Sequence, residues 1–488
     1  MVLGNDGMTA IAWRRTAWVL GCCAAALAAW AWFATRIAPG LFATAYAGEG
    51  SSPLDRALRL FGGPRPLKDV LGLWEVATPA VAAALIVHAA LVLAIGRWGR
   101  RDGAASPRDA RLDRATSAVL IVVSLAFLPA TVLCGAVQDY YLYQQIWGEV
   151  LRGHDPWYLV VGSPMGSYSL NAYGPLYNLL ALPTLWNPLG PKLIFAAAYW
   201  FFVAWLILGL GRRRGLPAWA GLGLALWFAS PFAWVEIAYF GHFDVLVGLL
   251  CIAAAEARVQ DRWASSAVWL TSGVLLKFFP GVLAPFLALD RGRIRWGYLA
   301  AAAGLPLAGM ATACAIWGAS VFRPITLAVN RESAALSIFR VLRGSYTPIG
   351  RDALFFTPDE YATPLLLLAL FGAWRWTRRT GFGTLASCVL AVATTLLLYK
   401  VGFPQYYMVL FLLAPYWFVR DYATLTHRGW LAAAYAAGFA LVAWFDVRIA
   451  RESVHIMVDW VGLPMFVLML AFIAAIAAAG PREGGGES

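Results

Sequence analysis

Charge is what this sequence has least of. Only 13% of its 488 residues are Asp, Glu, Lys or Arg, about half the share usual in soluble proteins. Hydrophobic residues make up 61%, and several runs exceed the ~18 apolar residues that mark a membrane-spanning helix. A soluble globular domain is excluded. Cysteine is scarce too. Cys22, Cys23, Cys134, Cys251, Cys314 and Cys388 all lie inside apolar runs, which gives neither a disulfide framework nor a zinc site. Also missing are a P-loop and a Rossmann glycine pattern, so no nucleotide is expected as donor. The net charge of +12 reads as the positive-inside bias of short loops rather than as a nucleic-acid footprint.

What is present is a series of apolar runs. The reading is an all-α polytopic membrane protein of about 12–14 transmembrane helices, placed by hydropathy at 17–35, 74–95, 115–137, 191–211, 217–232, 237–256, 264–277, 279–289, 297–317, 361–374, 382–399, 404–419, 430–447 and 456–478. The pair around Pro280 is short and reads as one broken helix or a hairpin. Arg14 and Arg15 precede "TAWVLGCCAAALAAWAWFA", read as an uncleaved first span rather than a signal peptide. Four segments are expected: N-terminal spans and a basic cytoplasmic loop at 1–114, a core at 115–420, C-terminal spans at 421–479, and a disordered cytoplasmic tail at 480–488. With the terminal Arg14, Arg15 and Arg482 counted, 22 of the 38 basic residues fall in the short loops and ends that would be cytoplasmic if both termini are inside. Loops 138–190 and 318–360 are then extracytoplasmic, with a bacterial plasma membrane as the expected setting.

The stretch "QDYYLYQQIWGEVLRGHDPWY" follows an uncharged run directly. Tyr143, Ile146, Trp147, Val150 and Leu151 recur at spacings of three and four, giving a helix with one apolar face. Such a helix is expected to lie in the membrane plane with its aromatics at headgroup level. "SLNAYGPLYNLLALPTLW" (169–186) is too Pro-interrupted to span and reads as a second shallow helix. Asp139 sits where span gives way to shallow helix. It either marks the end of a span or forms part of a site.

Other ionisable residues carry the same double reading. Lys277 and Lys400 each end an apolar run, as snorkelling lysines or as phosphate ligands. Arg331, Arg340 and Arg343 lie in "NRESAALSIFRVLRGSY". Arg340 and Arg343 share a helix face, as a phosphate clamp or a lipid-headgroup contact. His242 and Asp244 in "YFGHFDVLVG" are either a helix cap or a hydroxyl-binding pair, with Glu236 near enough in sequence to join them. Among the aromatics, Tyr158, Tyr406 and others suit sugar stacking, although an interfacial belt carries the same residues.

Four stretches in order, "GEVLRGHDPWY" with "YGPLYNLLALP", then "YFGHFDVLVGLL", "SGVLLKFFPGVLAPFLAL" and "YKVGFPQYYMVLFLLAP", resemble the C-type glycosyltransferases. The nearest likeness is to polyprenyl-phosphate-mannose-dependent mannosyltransferases and their bacterial relatives. The resemblance covers roughly 115–420. It departs from the family in one respect: the acid follows the third predicted span rather than the first, so that either two spans precede the shared core or the core helices align differently with the family's.

The resemblance implies an inverting single displacement that moves a sugar, mannose by the nearest likeness, from a polyprenyl-phosphate donor to an extracytoplasmic acceptor. Asp139 would be the base. Lys277, Arg340, Arg343 and Lys400 would hold the donor phosphate, and His242, Asp244, Tyr140, Tyr158, Gln405 and Tyr406 the acceptor or sugar. The acceptor is a glycolipid, a glycan or a protein; the lipid bilayer is the other partner, and nucleic acid is not. No cofactor is expected: His242, Asp244 and Asp139 make a thin ligand set for a divalent metal. The alternatives are a transporter or flippase, or a polymerase, of lipid-linked glycans. A transporter calls for internal repeats and midplane polar residues, which are not evident here.

Overall fold

The computed structural model describes residues 107–137, 139–158, 160–162, 168–345, 358–425, 429–452 and 461–479. The expected spans 17–35 and 74–95, most of the 1–114 segment, and the tail lie outside the described residues, as do 163–167 and 346–357 of the two large loops. The described chain is an all-α polytopic membrane protein. Its only strands among the described residues are three two-stranded pairs of two or three residues per strand.

Five helices are long and apolar enough to cross a membrane: Asp109–Leu133, Gly190–Gly211, Trp296–Ala328, Gly429–Ala450 and Gly462–Ala479. A bent pair, Ala218–Phe228 with Pro231–Tyr239, makes a sixth if it is one span. Trp263–Leu276 and Thr384–Leu398 are apolar but shorter. The expected span at 279–289 is instead a 3₁₀ turn, Phe279–Leu283, followed by one helical turn, Ala284–Leu287. Pro280 and Pro285 interrupt the hydrogen-bond ladder there.

The chain forms two compact units. In the first, made by the described residues up to Gly135 and by Lys192–Ala229, Phe127 is buried against Tyr199 and Trp200. The Tyr199 hydroxyl donates to the Phe228 carbonyl at 2.6 Å. Buried Lys192 donates to the Gly135 carbonyl at 2.8 Å, so its charge satisfies a helix end rather than meeting water.

In the second unit, made by Ala136–Pro191 and the chain from Ser230 onward, Pro404–Arg420 and Thr384–Leu398 are buried along almost their whole length. Their sequences are apolar on every face, as a central helix requires. Trp296–Trp317 by contrast exposes Leu305, Leu307 and Ile316, an apolar face that lipid solvates. Arg258, in the last turn of the helix Asp244–Val259, is buried. It donates to the Leu287 and Leu289 carbonyls and stacks on Trp263, 3.6 Å from the ring centre.

Two glycines fix how segments of the second unit meet. A Cβ on Gly174 would run into the Leu275 carbonyl oxygen, and one on Gly402 would lie 2.5 Å from the Ser337 nitrogen. Both partners are backbone, so neither can move aside. Gly402 belongs to a parallel bridge in which Ala334 pairs with Val401 and Ala335 with Gly402. This bridge ties the Arg331 loop to the start of the Pro404–Arg420 helix.

Candidate active site

Asp139 is the first residue of the helix Asp139–Leu151, where the helix dipole favours a negative charge. The aromatic residues that follow it are structural. Tyr140 is fully buried and donates to the Pro188 carbonyl at 3.0 Å. The Tyr143 hydroxyl meets the Tyr173 hydroxyl at 3.0 Å, and the Trp147 indole donates to the Tyr177 carbonyl at 3.3 Å. Tyr143, Tyr173, Tyr177 and Phe243 pack ring on ring, with centres 4.5–5.9 Å apart. The apolar face expected at headgroup level is thus mostly turned inward, onto the Pro175–Leu185 3₁₀ segment and Phe243. Leu151 at its far end remains exposed.

Glu236 lies in a π-helical turn, Trp234–Tyr239, a wide turn often found at functional sites. The chain then reverses through Gly241, whose φ of +67° suits glycine. The His242 amide donates back to the Glu236 carbonyl at 2.9 Å. The reversal sets the imidazole between two carboxylates. Nδ1 is 2.6 Å from Glu236 Oε2, and Nε2 is 3.1 Å from Asp139 Oδ2. Phe240 stacks on the ring at 5.3 Å.

Burial alone would discharge the imidazole. The Glu236 charge and the hydrogen bonds to Asp139 and Glu236 outweigh it, so the His242 pKa is raised to about 10. Both ring nitrogens therefore donate. Burial likewise pushes the Asp139 pKa up, but the hydrogen bond and charge of His242, with Arg331 and Lys277 beyond it, bring it below its ordinary value. Asp139 is an ionised carboxylate, and its side chain is 41% exposed.

That exposure faces a cavity of about 260 Å³ lined by Asp139, Tyr143, Tyr173, Glu236, His242, Arg331, Gln405, Tyr406 and Asp446, with apolar walls from Leu142, Ile146, Phe240, Leu327, Phe403 and Ile449. Arg331 lies over the Phe403 ring at 4.8 Å. Among the described residues no group of three or more His, Cys, Asp or Glu side chains could hold a metal ion.

Of the residues singled out from sequence, Asp139, His242, Gln405 and Tyr406 come together at the cavity. Asp244 does not line it. The helix Asp244–Val259 has Phe243 at its N-cap, and the Asp244 carboxylate takes a hydrogen bond from buried Lys277 at 2.5 Å. Lys277 lies 4.0 Å from the ring centre of Tyr406, one layer behind the cavity wall.

Arg343 pairs with Glu332 at 2.6 Å and reaches Asp359 at 3.7 Å. Arg340 is beside it; burial, then the Arg343 charge, draws its guanidinium below its ordinary value. Lys400 is buried, and its carbonyl accepts from the Ala334 amide. Neither arginine nor Lys400 is among the lining residues. Tyr140 is core, and Tyr158 is exposed, with Arg323 4.9 Å from its ring centre.

Beyond Asp139, His242 and Glu236, two charged lining residues stand outside the expected site: Arg331, which the sequence places only in its loop, and Asp446. Its signal was an acid in an otherwise apolar run, "GWLAAAYAAGFALVAWFDV", and an ionisable group in such a run is a functional candidate by default.

No protein-family model matches the chain. A 125-residue stretch, 25% of the chain, is 36% identical to the GPI mannosyltransferase 1 of the fungus Gibberella zeae. The match spans 29% of that relative's length, so the likeness is local to one part of each protein.

Proposed function

We propose that this chain is a membrane mannosyltransferase of the C-type fold, taking mannose from a polyprenyl-phosphate donor and placing it on an extracytoplasmic acceptor by inverting single displacement. The observation that carries this reading is an ionised carboxylate, Asp139, and a guanidinium, Arg331, lining one cavity. The local similarity to a fungal protein named as a mannosyltransferase supports the sugar.

In the proposed step the acceptor hydroxyl gives its proton to Asp139. Its oxygen bonds to the anomeric carbon, and the bond from that carbon to the phosphate oxygen breaks on the opposite face. The electron pair leaves with polyprenyl phosphate. Negative charge grows on the departing phosphate, so a fixed cation favours the transition state over the ground state. Arg331 suits that role, because guanidinium can grip two phosphate oxygens. Lys277, Arg340, Arg343 and Lys400 stand further back in this reading, as the positive surroundings of the donor. Tyr406, Gln405 and Tyr173 offer hydrogen bonds to sugar hydroxyls. Burial, with the Asp139 charge after it, holds Tyr173 well above its ordinary pKa, so it stays a neutral phenol.

The test is incubation of the purified chain with polyprenyl-phosphate [14C]mannose and cell lipids. Label appearing in a new glycolipid, glycan or protein supports the reading. Movement of the labelled donor across a vesicle wall with no transfer overturns it in favour of a transporter.

A further inference from the structure

Beside the Glu236–His242 pair the cavity wall holds a third acidic residue that the proposed chemistry does not use. Asp446 lies on the helix Gly429–Glu452, is 0% exposed, and lines the cavity. Neither of its carboxyl oxygens has a hydrogen-bond donor among the described residues. The group it meets is the Glu236 carboxyl, itself 1% exposed and already hydrogen-bonded to His242.

Glu236 has the His242 imidazolium as its partner, but an ionised Asp446 beside it would be a second buried negative charge with no donor of its own, and a buried, unpaired charge is among the costliest groups a protein can carry. One proton between them removes the problem. The protonated oxygen donates to the ionised one in a charge-assisted bond, and every oxygen at the contact gains a partner or loses its charge.

We propose that Glu236 and Asp446 share one proton, so that Asp446, Glu236, His242 and Asp139 form a single buried hydrogen-bonded relay with Asp446 as its distal positioning residue. The carboxyl pair then carries one negative charge. It holds the His242 Nδ1–H and so turns Nε2–H toward Asp139. The cavity charges balance: Asp139 and the carboxyl pair contribute one negative charge each, and His242 and Arg331 one positive charge each. A neutral network lets His242 remain an imidazolium beside Asp139. Asp139 in turn stays ionised and aimed at the cavity. No bond other than hydrogen bonds changes. The role assigned to Asp139 rests on the transferase reading above; the shared proton does not.

The experiment has two arms on the full-length chain in lipid. The first is infrared difference spectroscopy of the parent against Asp446→Asn at neutral pH. The parent should show a protonated-carboxyl C=O band that shifts in deuterium oxide and is absent from the variant. If the parent has no such band, the relay is overturned. The second arm is turnover. Asp446→Leu removes the donor to Glu236 and should lower kcat about tenfold or more, as expected for loss of a hydrogen bond to a charged group, with KM little altered. Asp446→Asn supplies an amide N–H in place of the O–H and should recover most of that loss. If Asn is as damaging as Leu in protein that remains monodisperse, the shared proton is wrong. A chain that shows the band but transfers no mannose keeps the relay and loses the transferase reading, so the two failures are distinguishable.

Discussion

His242 donates its Nε2–H to Asp139 at 3.1 Å across 103 residues of chain, and its other ring N–H to Glu236 at 2.6 Å. The contact joins the first residue of one helix to a turn that follows a π-helical segment. It converts an acid at a span end into an oriented carboxylate, and the cavity beside it gives that carboxylate something to act on.

The most direct consequence concerns Asp139 itself. Asp139→Asn keeps the shape, and its carbonyl oxygen can still accept from His242, but basicity is gone. Turnover should fall about 10²-fold or more, as for loss of a general base, with donor binding largely retained. Near-normal turnover would remove Asp139 from the chemistry.

His242 predicts a dependence on alkaline pH. Its pKa in the folded chain is raised from 6.5 to about 10. A raised pKa means that folding favours the protonated form, so this stabilisation is complete below about 6.5 and lost as pH rises through about 10. Thermal unfolding in detergent should therefore shift to lower temperature between pH 7 and 10. His242→Gln should be less stable at pH 7, and its unfolding should depend less on pH across that window. Parallel curves for parent and variant would show that the imidazole is not charged.

Arg331 and Arg343 make opposing predictions for the donor. Arg331 lines the cavity, whereas Arg343 is paired with Glu332 and Asp359. Arg331→Ala should weaken binding of polyprenyl-phosphate mannose by about tenfold or more, the scale of a charge-assisted hydrogen bond. Arg331→Lys should recover part of it. Arg343→Ala should have the smaller effect on binding and the larger on stability. Equal, small losses in both would mean that the phosphate is held elsewhere.

How much of this was legible in the sequence depends on the kind of signal. The helical membrane class follows from apolar runs, and their ends mostly agree: 297–317 was expected and Trp296–Trp317 is found. Asp139 and His242 were visible because each interrupts an aromatic or apolar stretch at its edge. What joins them was not visible, since residues 103 apart meet only through tertiary packing. Lys277 illustrates the limit. Its sequence position fits a phosphate ligand, but whether its charge is free depends on Asp244, 33 residues away, which takes it. Asp446 lies in a C-terminal span that hydropathy alone does not connect to the core, whereas the helix Gly429–Glu452 carries it into the cavity wall.

The Arg331 loop is held by backbone contact, and that gives a test remote from any charge. The Ala334 amide donates to the Lys400 carbonyl and the Leu336 amide to the Gly402 carbonyl, both at 3.0 Å. The strands can come this close because position 402 has no side chain. In Gly402→Ala the new methyl would sit 2.5 Å from the Ser337 nitrogen and 2.9 Å from the Leu336 carbonyl carbon. Both atoms are main chain, so the bridge must open rather than a side chain rotate away. Overpacking of this kind costs about 1–3 kcal/mol, and unfolding in detergent should move to lower temperature accordingly. The same opening would carry Arg331, three residues before Ala334, away from the Phe403 ring and the cavity. Donor affinity should therefore fall in Gly402→Ala, while the infrared band assigned to the Glu236–Asp446 pair should persist, because neither residue lies on the bridge. A stable Gly402→Ala protein with unaltered donor binding would mean that the bridge does not position Arg331.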